Sequence, residues 1–238
     1  MVLAVKTIGL IGGMSWESSQ TYYALINEQV KARLGGLHSA KILLLSLDFS
    51  QIEKLQSSED WSSAATILRN AAKQLEAGGA ECFAICTNTM HQVFDEVSGA
   101  VRIPGLHIAD ALGEYAAQNS MRRLGLLGTR FTMERDFFRD RLSDNYGIAV
   151  STPDEPQRLE IHRIIYEELC LGEIKDTSRE YLIEVIRHLT EMDIDGVVLG
   201  CTEIGLLIEQ AHVQIPVIDT ASIHAQSLVD FAIDRQIF

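Results

Sequence analysis

The 238-residue chain has little positive charge, few cysteines and no long apolar run. Its 20 Lys and Arg against 33 Asp and Glu give a formal net charge of −13 at pH 7. Nucleic-acid affinity depends mainly on basic residues that neutralise phosphates, and anionic membrane surfaces repel acidic proteins, so neither partner is expected. No apolar run approaches the roughly 18 residues of a membrane span, and no secretory leader is recognisable. We therefore expect a cytoplasmic globular protein.

The four cysteines are expected to be free thiols, because disulfides are rare in cytoplasmic proteins. Cys82 and Cys86 lack the spacing of a redox or zinc motif, and no His or Cys cluster near Cys201 completes a zinc site, so no metal is expected. Cys82 and Cys170 are interpreted as small buried hydrophobic residues. The surroundings of Cys86 and Cys201 indicate more than packing.

Strand-like and helix-like segments alternate along the chain. The short apolar segments 6–13 and 41–49 predict buried strands, and the amphipathic segments 16–36 and 61–80, which end in glycines, predict helices. Strands separated by helices of this length are typical of βαβ units. The pattern therefore predicts an α/β fold with parallel sheets.

The second half of the chain repeats the first. Three motifs recur at separations of 116, 115 and 112 residues: Gly9 with Gly125, Cys86 with Cys201, and Pro104 with Pro216. One duplicated α/β unit explains all three matches. Ligands of open parallel sheets bind beyond the carboxyl ends of the strands, so each half is expected to present its cysteine at such an edge. The alternative is that equivalent cysteines only pack at equivalent strand ends.

Polar residues follow both cysteines: Thr87, Asn88 and Thr89 after Cys86, and Thr202 and Glu203 after Cys201. They stand where a strand is expected to turn into a helix, and a helix N-terminus favours a bound carboxylate and lowers the pKa of a thiol. The negative charge of Glu203 disfavours a nearby thiolate, so Cys86 is expected to be the more reactive thiol.

Two opposed thiols beside a bound carboxylate suit stereoinversion at an α-carbon. One thiolate removes the proton from one face, and the other thiol returns a proton to the opposite face. An ordinary thiol pKa of about 8.5 lets the two groups exchange these roles near neutral pH. No lysine stands in a recognisable cofactor-binding context, so no pyridoxal phosphate or other cofactor is expected.

Three segments, GLIGGMSWES (9–18), AICTNTMH (84–91) and VVLGCTEIGLL (197–207), resemble the aspartate/glutamate racemase family of cofactor-independent amino-acid racemases. The resemblance extends from about Lys6 to the final helix. It implies an α/β fold of two pseudo-symmetric doubly wound domains with parallel sheets and an active site in the cleft between them. It also implies proton transfer by the two cysteines of these segments, and commonly a homodimer.

The expected domains are residues 1–114 plus 218–238, the last helix returning to the first domain, and residues 115–217. The catalytic pair implied by the resemblance is Cys86 and Cys201. The substrate-binding residues are expected to be Met14, Ser15, Thr87, Asn88, Thr89, Thr129, Glu168, Thr202 and Glu203.

Several alternatives stay open. Met14 can instead be a core residue, and three histidines, His91, His107 and His224, are interpreted as supporting rather than catalytic. The preferred small-molecule substrate is aspartate or glutamate, but no arginine clamp is obvious. Arg130 is a candidate for that clamp, although the favoured interpretation is a solvent-facing arginine with no ligand role. The other possible functions are a racemase of broader substrate range, a cis/trans diacid isomerase, a one-cysteine decarboxylase and a non-catalytic amino-acid-binding protein. The presence of two thiols argues against the decarboxylase.

Overall fold

The structure is a computed structural model that describes residues 5–233. The strands are β1 (Thr7–Gly12), β2 (Lys41–Ser46), β3 (Cys82–Ile85), β4 (Arg123–Gly128), β5 (Ala149–Ser151), β6 (Gly196–Gly200) and β7 (Val217–Asp219). They form two sheets, in the orders β2-β1-β3 and β5-β4-β6-β7, and every pairing is parallel. The predicted α/β class with parallel sheets is confirmed.

Helices alternate with these strands. The α-helices are α1 (Trp16–Leu34), α2 (Phe49–Ser57), α3 (Trp61–Ala77), α4 (Phe94–Ser98), α5 (Ile108–Gln118), α6 (Arg130–Glu134), α7 (Asp136–Tyr146), α8 (Glu155–Glu167), α9 (Asp176–Thr190) and α10 (Thr220–Ile233). Short 3-10 helices span Thr89–Val93, Leu169–Leu171, Thr202–Leu206 and Gln210–His212. No helix within residues 5–233 is both long enough and apolar enough to cross a membrane.

The chain divides into two compact units. The first runs up to Ile108 and resumes at His224, and the second extends from Ala109 to Ile223. In the first unit, the Lys6 N–H donates to the Ala232 carbonyl at 3.0 Å, which ties the end of α10 to the start of β1. The domain bounds expected from the sequence, after residues 114 and 217, fall inside α5 and on the first residue of β7.

The start of the chain folds as its sequence predicts. The apolar residues of β1 are buried, and α1 covers most of the predicted helical segment 16–36. Ser15 caps α1, since its hydroxyl accepts a hydrogen bond from the Ser18 N–H at 3.1 Å. The helix ends at Gly35, whose φ of 71° is readily adopted only by glycine.

The prediction of a buried strand over 41–49 is wrong in both length and burial. The strand β2 ends at Ser46 and forms an edge of its sheet, where Leu44 is exposed. Asp48 instead caps α2, because its carboxylate accepts a hydrogen bond from the Ser50 N–H at 3.1 Å. The capping carboxylate makes the apolar segment around it part of a turn and a helix rather than of a strand.

The sequence repeat corresponds to repeated topology. In each unit the first strand lies between the second and the third, as β2-β1-β3 and β5-β4-β6. The N–H groups of Phe83 and Val197 donate to the carbonyls of Pro104 and Pro216, respectively, both at 2.9 Å. The matched prolines therefore lie beside matched strands, although only the second unit extends this pairing into a strand, β7.

Candidate active site

Cys86 is the first residue after β3, and its side chain is fully buried. The Cys86 N–H donates to the Ile11 carbonyl at 2.9 Å, which continues the pairing with β1. The Cys86 carbonyl accepts a hydrogen bond from the Ser18 hydroxyl at 2.7 Å. The backbone N–H and carbonyl of this residue are thus held by β1 and α1, which fixes the position of the Cα atom that carries the thiol side chain.

The residues after Cys86 form a 3-10 turn that a histidine braces. Nε2 of His91 accepts a hydrogen bond from the Ile108 N–H at 3.2 Å, so Nδ1 is the protonated nitrogen and donates to the Thr87 carbonyl at 2.8 Å. Asn88 and Thr89 are both buried beside this turn. His91 is therefore a supporting residue in this geometry, as the sequence suggested.

The other two histidines belong to the same buried group. The rings of His91 and His107 lie 4.5 Å apart, and those of His91 and His224 lie 5.8 Å apart. Nε2 of His224 donates to the Leu106 carbonyl at 2.9 Å, which leaves Nδ1 to accept from the Tyr22 hydroxyl at 2.9 Å. These contacts occupy both nitrogens of His224 in structural hydrogen bonds.

Two predicted substrate residues lie at the β1–α1 turn. Met14 is 4% exposed and packs in the hydrophobic core of the first unit, together with Ile11 and Ile85. Ser15 is also buried, and its hydroxyl accepts the capping hydrogen bond of α1. The structure thus gives both side chains a structural role, and their contact with a substrate stays a prediction.

Cys201 is the first residue after β6 and is 9% exposed. Its thiol donates to Oε2 of Glu203 at 3.0 Å, and the Thr202 hydroxyl donates to the same oxygen at 2.8 Å. Glu203 is itself buried. The three consecutive residues named for this half therefore form one hydrogen-bonded cluster at the end of the strand.

The register of the strands differs by one residue between the two units. Gly9 pairs with Phe83, three residues before Cys86, whereas Gly125 pairs with Val197, four residues before the second cysteine. Cys201 therefore lies one residue further beyond the end of its sheet than Cys86 does, which agrees with its slightly greater exposure. The repeat predicts equivalent thiols, but it does not make their settings identical.

Thr129 and Arg130 follow β4, the strand next to β6. Thr129 is buried, and its hydroxyl accepts a hydrogen bond from the Thr132 N–H at 3.3 Å, which caps the short helix α6. Arg130 is half-buried, and its interpretation as a solvent-facing residue without a ligand role stays a prediction. Its backbone N–H donates to Nδ1 of His162 at 3.4 Å, which places α8 beside this turn.

Glu168 has an extensive set of partners within its own unit. It is 3% exposed; Oε1 accepts from Arg163 at 2.9 Å and lies 3.6 Å from Lys175, and Oε2 accepts from the Ser178 hydroxyl at 2.6 Å. Burial raises the pKa of Glu168, but the bonds to Ser178 and Arg163 outweigh it and lower the pKa overall. This carboxylate stabilises the end of α8, and its contact with a substrate amino group stays a prediction.

Burial raises the pKa of both candidate thiols, so the expected lowering is wrong. For Cys86 burial is the cause, and for Cys201 burial comes first and the Glu203 carboxylate second. The helices that follow them are 3-10 helices of five residues, and so short a run of aligned peptide dipoles does not offset the loss of hydration. The carboxylate does oppose ionisation of its neighbouring thiol, as expected.

Sequence reasoning missed Ser18 and His162. Ser18 lies within the GLIGGMSWES segment, but only the folded chain shows its hydroxyl on the Cys86 carbonyl. His162 has no motif around it and joins the site only because α8 packs beside α6. In the part of the chain that the structure describes, no group of three or more His, Cys, Asp or Glu side chains suits a metal ion.

A family model described as Asp/Glu/hydantoin racemase matches residues 11–228. The chain is similar to the crystal structure of a suspected Asp/Glu racemase from Yersinia pestis, with 52% identity, 95% of this chain and 99% of that chain covered, and a TM-score of 0.89. It is also similar to an aspartate racemase homologue from Pyrococcus horikoshii, with 38% identity, the same coverage and a TM-score of 0.82.

A more distant relative is the broad specificity amino-acid racemase RacX of Bacillus subtilis. It is 23% identical over 67% of this chain and 68% of its own length. The family match extends over both repeated halves and includes both candidate cysteines.

Proposed function

The chain belongs to the Asp/Glu/hydantoin racemase family, and from that premise we propose that it is a cofactor-independent amino-acid racemase acting on aspartate or glutamate. Family and relatives support amino-acid racemase activity, which is an isomerase activity. The acidic substrate and the two-cysteine mechanism are the finer parts of the proposal. Cys86 and Cys201 are the proposed proton carriers.

One observation supports the mechanism above all others: a buried thiol stands directly after the equivalent strand in each half of a duplicated fold. Stereoinversion needs one acid–base group for each face of the α-carbon, and a duplicated chain supplies two similar groups. Cys82 lacks this placement, because it lies at the start of β3 rather than beyond its carboxyl end.

In the proposed reaction, the thiolate of one cysteine removes the α-proton, so that a C–H bond breaks and an S–H bond forms. The thiol of the other cysteine then gives its proton to the opposite face of the α-carbon, and that cysteine becomes the thiolate. Burial keeps both thiols neutral in the free chain, which suits the acid. The ammonium group of a bound amino acid favours ionisation of a nearby thiol, which releases its proton to solvent and becomes the base.

Polar groups around each cysteine are proposed to hold the substrate's α-carboxylate and amino group. On the first unit these are Thr87, Asn88 and Thr89, which follow Cys86 directly. On the second unit Thr202 and Glu203 take the same part. A buried carboxylate beside the second thiol also suits the cationic ammonium group of the substrate.

The proposal is tested with purified Cys86→Ala and Cys201→Ala variants. D- and L-enantiomers of aspartate, glutamate and neutral amino acids are incubated in deuterated water, and loss of the α-proton NMR signal and change of optical rotation are both followed. We expect each variant to lose racemisation, because either change removes one proton carrier. A single variant can still exchange the α-proton of the one enantiomer that faces its remaining thiol.

Cys82→Ala is the matched control, since it removes a buried thiol from the strand that precedes Cys86 and should leave racemisation in place. Near-normal racemisation by either Cys86→Ala or Cys201→Ala would rule out the two-thiol mechanism. Saturable binding of amino acids with no α-proton exchange in the unmodified protein would instead indicate a binding protein.

A racemase of broad specificity is the second candidate. It is favoured by the similarity to the Bacillus subtilis relative, which is named for that activity. The same panel separates the two candidates: similar kcat/KM values for neutral and acidic amino acids support the broad enzyme, and a strong preference for aspartate or glutamate supports the first proposal.

A further inference from the structure

Arg130 lies near several arginines of the second unit that form ion pairs. Arg158 pairs with Glu134 at 3.0 Å, and other arginines of the second unit form similar ion pairs. Within residues 5–233, Arg130, which is half-buried as a residue, forms no ion pair with a carboxylate, and its guanidinium lies over the face of the Phe131 ring, 5.1 Å from the ring centre. A guanidinium without a carboxylate partner is suited to receiving one from a ligand.

The position of Arg130 places it at the candidate catalytic edge. Gly128, the last residue of β4, pairs with Gly200, the last residue of β6. Arg130 is the second residue beyond β4, and Cys201 is the first residue beyond β6. Because paired strands lie about 4.8 Å apart, both side chains originate at the same end of the same sheet.

Several charged or titratable groups surround Arg130, and one of them is Arg135, whose guanidinium lies 6.0 Å from the centre of the same Phe131 ring. Burial and the nearby Arg130 charge both lower the pKa of the His162 imidazole, which disfavours its protonated form. Of the two acidic residues that act on His162, Glu134 is paired with Arg158 at 3.0 Å and Glu167 lies 3.6 Å from Arg163. These carboxylates are engaged with other arginines.

The local packing also limits where the turn can move. Phe131 is 5% exposed, and its ring packs in a T-shaped arrangement with the His162 ring at a centroid distance of 5.8 Å. His162 in turn accepts a hydrogen bond from the Arg130 backbone. A cation presented from such a braced turn loses less conformational entropy on binding a ligand than one on a free loop.

We propose that Arg130 binds the side-chain carboxylate of the substrate and thereby selects aspartate or glutamate over neutral amino acids. The inference rests on the proposed racemase function and names a residue that reads the substrate side chain. A guanidinium is well suited to this part, because its parallel N–H groups can engage both oxygens of one carboxylate.

The first experiment compares Arg130→Gln, Arg130→Lys and the control Arg187→Gln, which alters an exposed arginine of α9 paired with Glu184. Racemisation of aspartate and glutamate is measured beside that of asparagine and glutamine, their neutral analogues. We expect Arg130→Gln to lower kcat/KM for the acidic substrates by roughly 10- to 100-fold relative to the neutral ones. Arg130→Lys should retain part of the preference, and the control should retain all of it.

An unchanged ratio of kcat/KM for acidic to neutral substrates in Arg130→Gln would overturn the inference, whether both values fall equally or neither changes. This result leaves the racemase proposal in place, because it concerns only the choice of substrate.

The second experiment needs no turnover. Binding of succinate, a dicarboxylate without an amino group, and of butyrate, its monocarboxylate analogue, is measured by calorimetry. We expect the unmodified protein to prefer succinate and Arg130→Gln to lose that preference. This result supports the inference even if no amino acid is racemised, in which case only the proposed function fails. Equal binding of both acids by the unmodified protein, or a preference that survives Arg130→Gln, would overturn it.

Discussion

At the scale of single residues, the two candidate thiols differ in what surrounds them. Cys86 is fully buried and is held through its backbone, by Ile11 and by the hydroxyl of Ser18. The Cys201 thiol itself donates a hydrogen bond to the carboxylate of Glu203. A thiol that donates to an anion is stabilised in its protonated form, so the second cysteine has an additional reason to remain neutral.

Glu203→Gln should therefore lower the pKa of the Cys201 thiol, because the substitution removes the negative charge and keeps a hydrogen-bond acceptor. We expect alkylation of this thiol to begin at a lower pH in the variant. The measurement is the rate of alkylation of this cysteine against pH in a Cys86→Ala background, followed by peptide mass spectrometry. Glu155→Gln, at an exposed site of α8, is the control. An unchanged pH profile would contradict an electrostatic role for Glu203.

At the scale of elements, the turn between β1 and α1 depends on a glycine. Gly13 has a φ of 82°, and a Cβ atom there would lie 2.2 Å from the carbonyl oxygen of Leu47. The Leu47 N–H donates to the Gly12 carbonyl at 2.9 Å, so this contact also fixes the end of β2 against β1. The turn leads directly into Met14 and Ser15, two of the predicted site residues.

Gly13→Ala should destabilise the protein much more than Gly36→Ala. Both glycines have positive φ, but a Cβ at Gly36 would meet open space. The control should cost about 1 kcal/mol for backbone strain, and Gly13→Ala a further 1–3 kcal/mol, roughly, for the clash with a neighbouring backbone. Urea denaturation of both variants measures the difference. Equal midpoints would show that the β2 end moves aside without cost.

At the scale of the whole molecule, buried thiols make stability depend on alkaline pH. Burial raises the pKa of Cys82 to about 12, and it raises the pKa values of Cys86 and Cys201 as well. Below the unfolded-state pKa of about 8.5, the thiols are protonated in both states and their contribution to stability is fully present. Above it, only the unfolded chain ionises readily, so the free energy of unfolding falls as pH rises.

We expect each of these thiols to cost about 1.4 kcal/mol per pH unit above the unfolded pKa. Urea midpoints measured at pH 7.5 and 9.5 in the presence of a reductant should therefore decrease, and Cys82→Ala should reduce the decrease. Midpoints that stay constant over this range, or that fall equally in Cys82→Ala, would show that the thiols ionise in the folded protein as well.

The sequence by itself determined the class of fold, the repeat and the location of both candidate cysteines after strands. These features depend on local signals: the period of apolar residues, glycine stops, and matched motifs such as those around Cys86 and Cys201. The predicted end of β2 is too late because Leu47 and Phe49 continue the apolar pattern. The capping hydrogen bond of Asp48 instead starts α2 at this point and ends the strand.

Only the tertiary structure decided the electrostatics of the candidate site. The raised pKa values of the thiols follow from burial, which depends on chain segments distant in sequence. The same is true of Ser18 on the Cys86 carbonyl, of His91 linking Thr87 to Ile108, and of the half-buried Arg130. A motif shows which residues are present, whereas the burial of a side chain and its hydrogen-bond partners are set only when elements distant in sequence pack together.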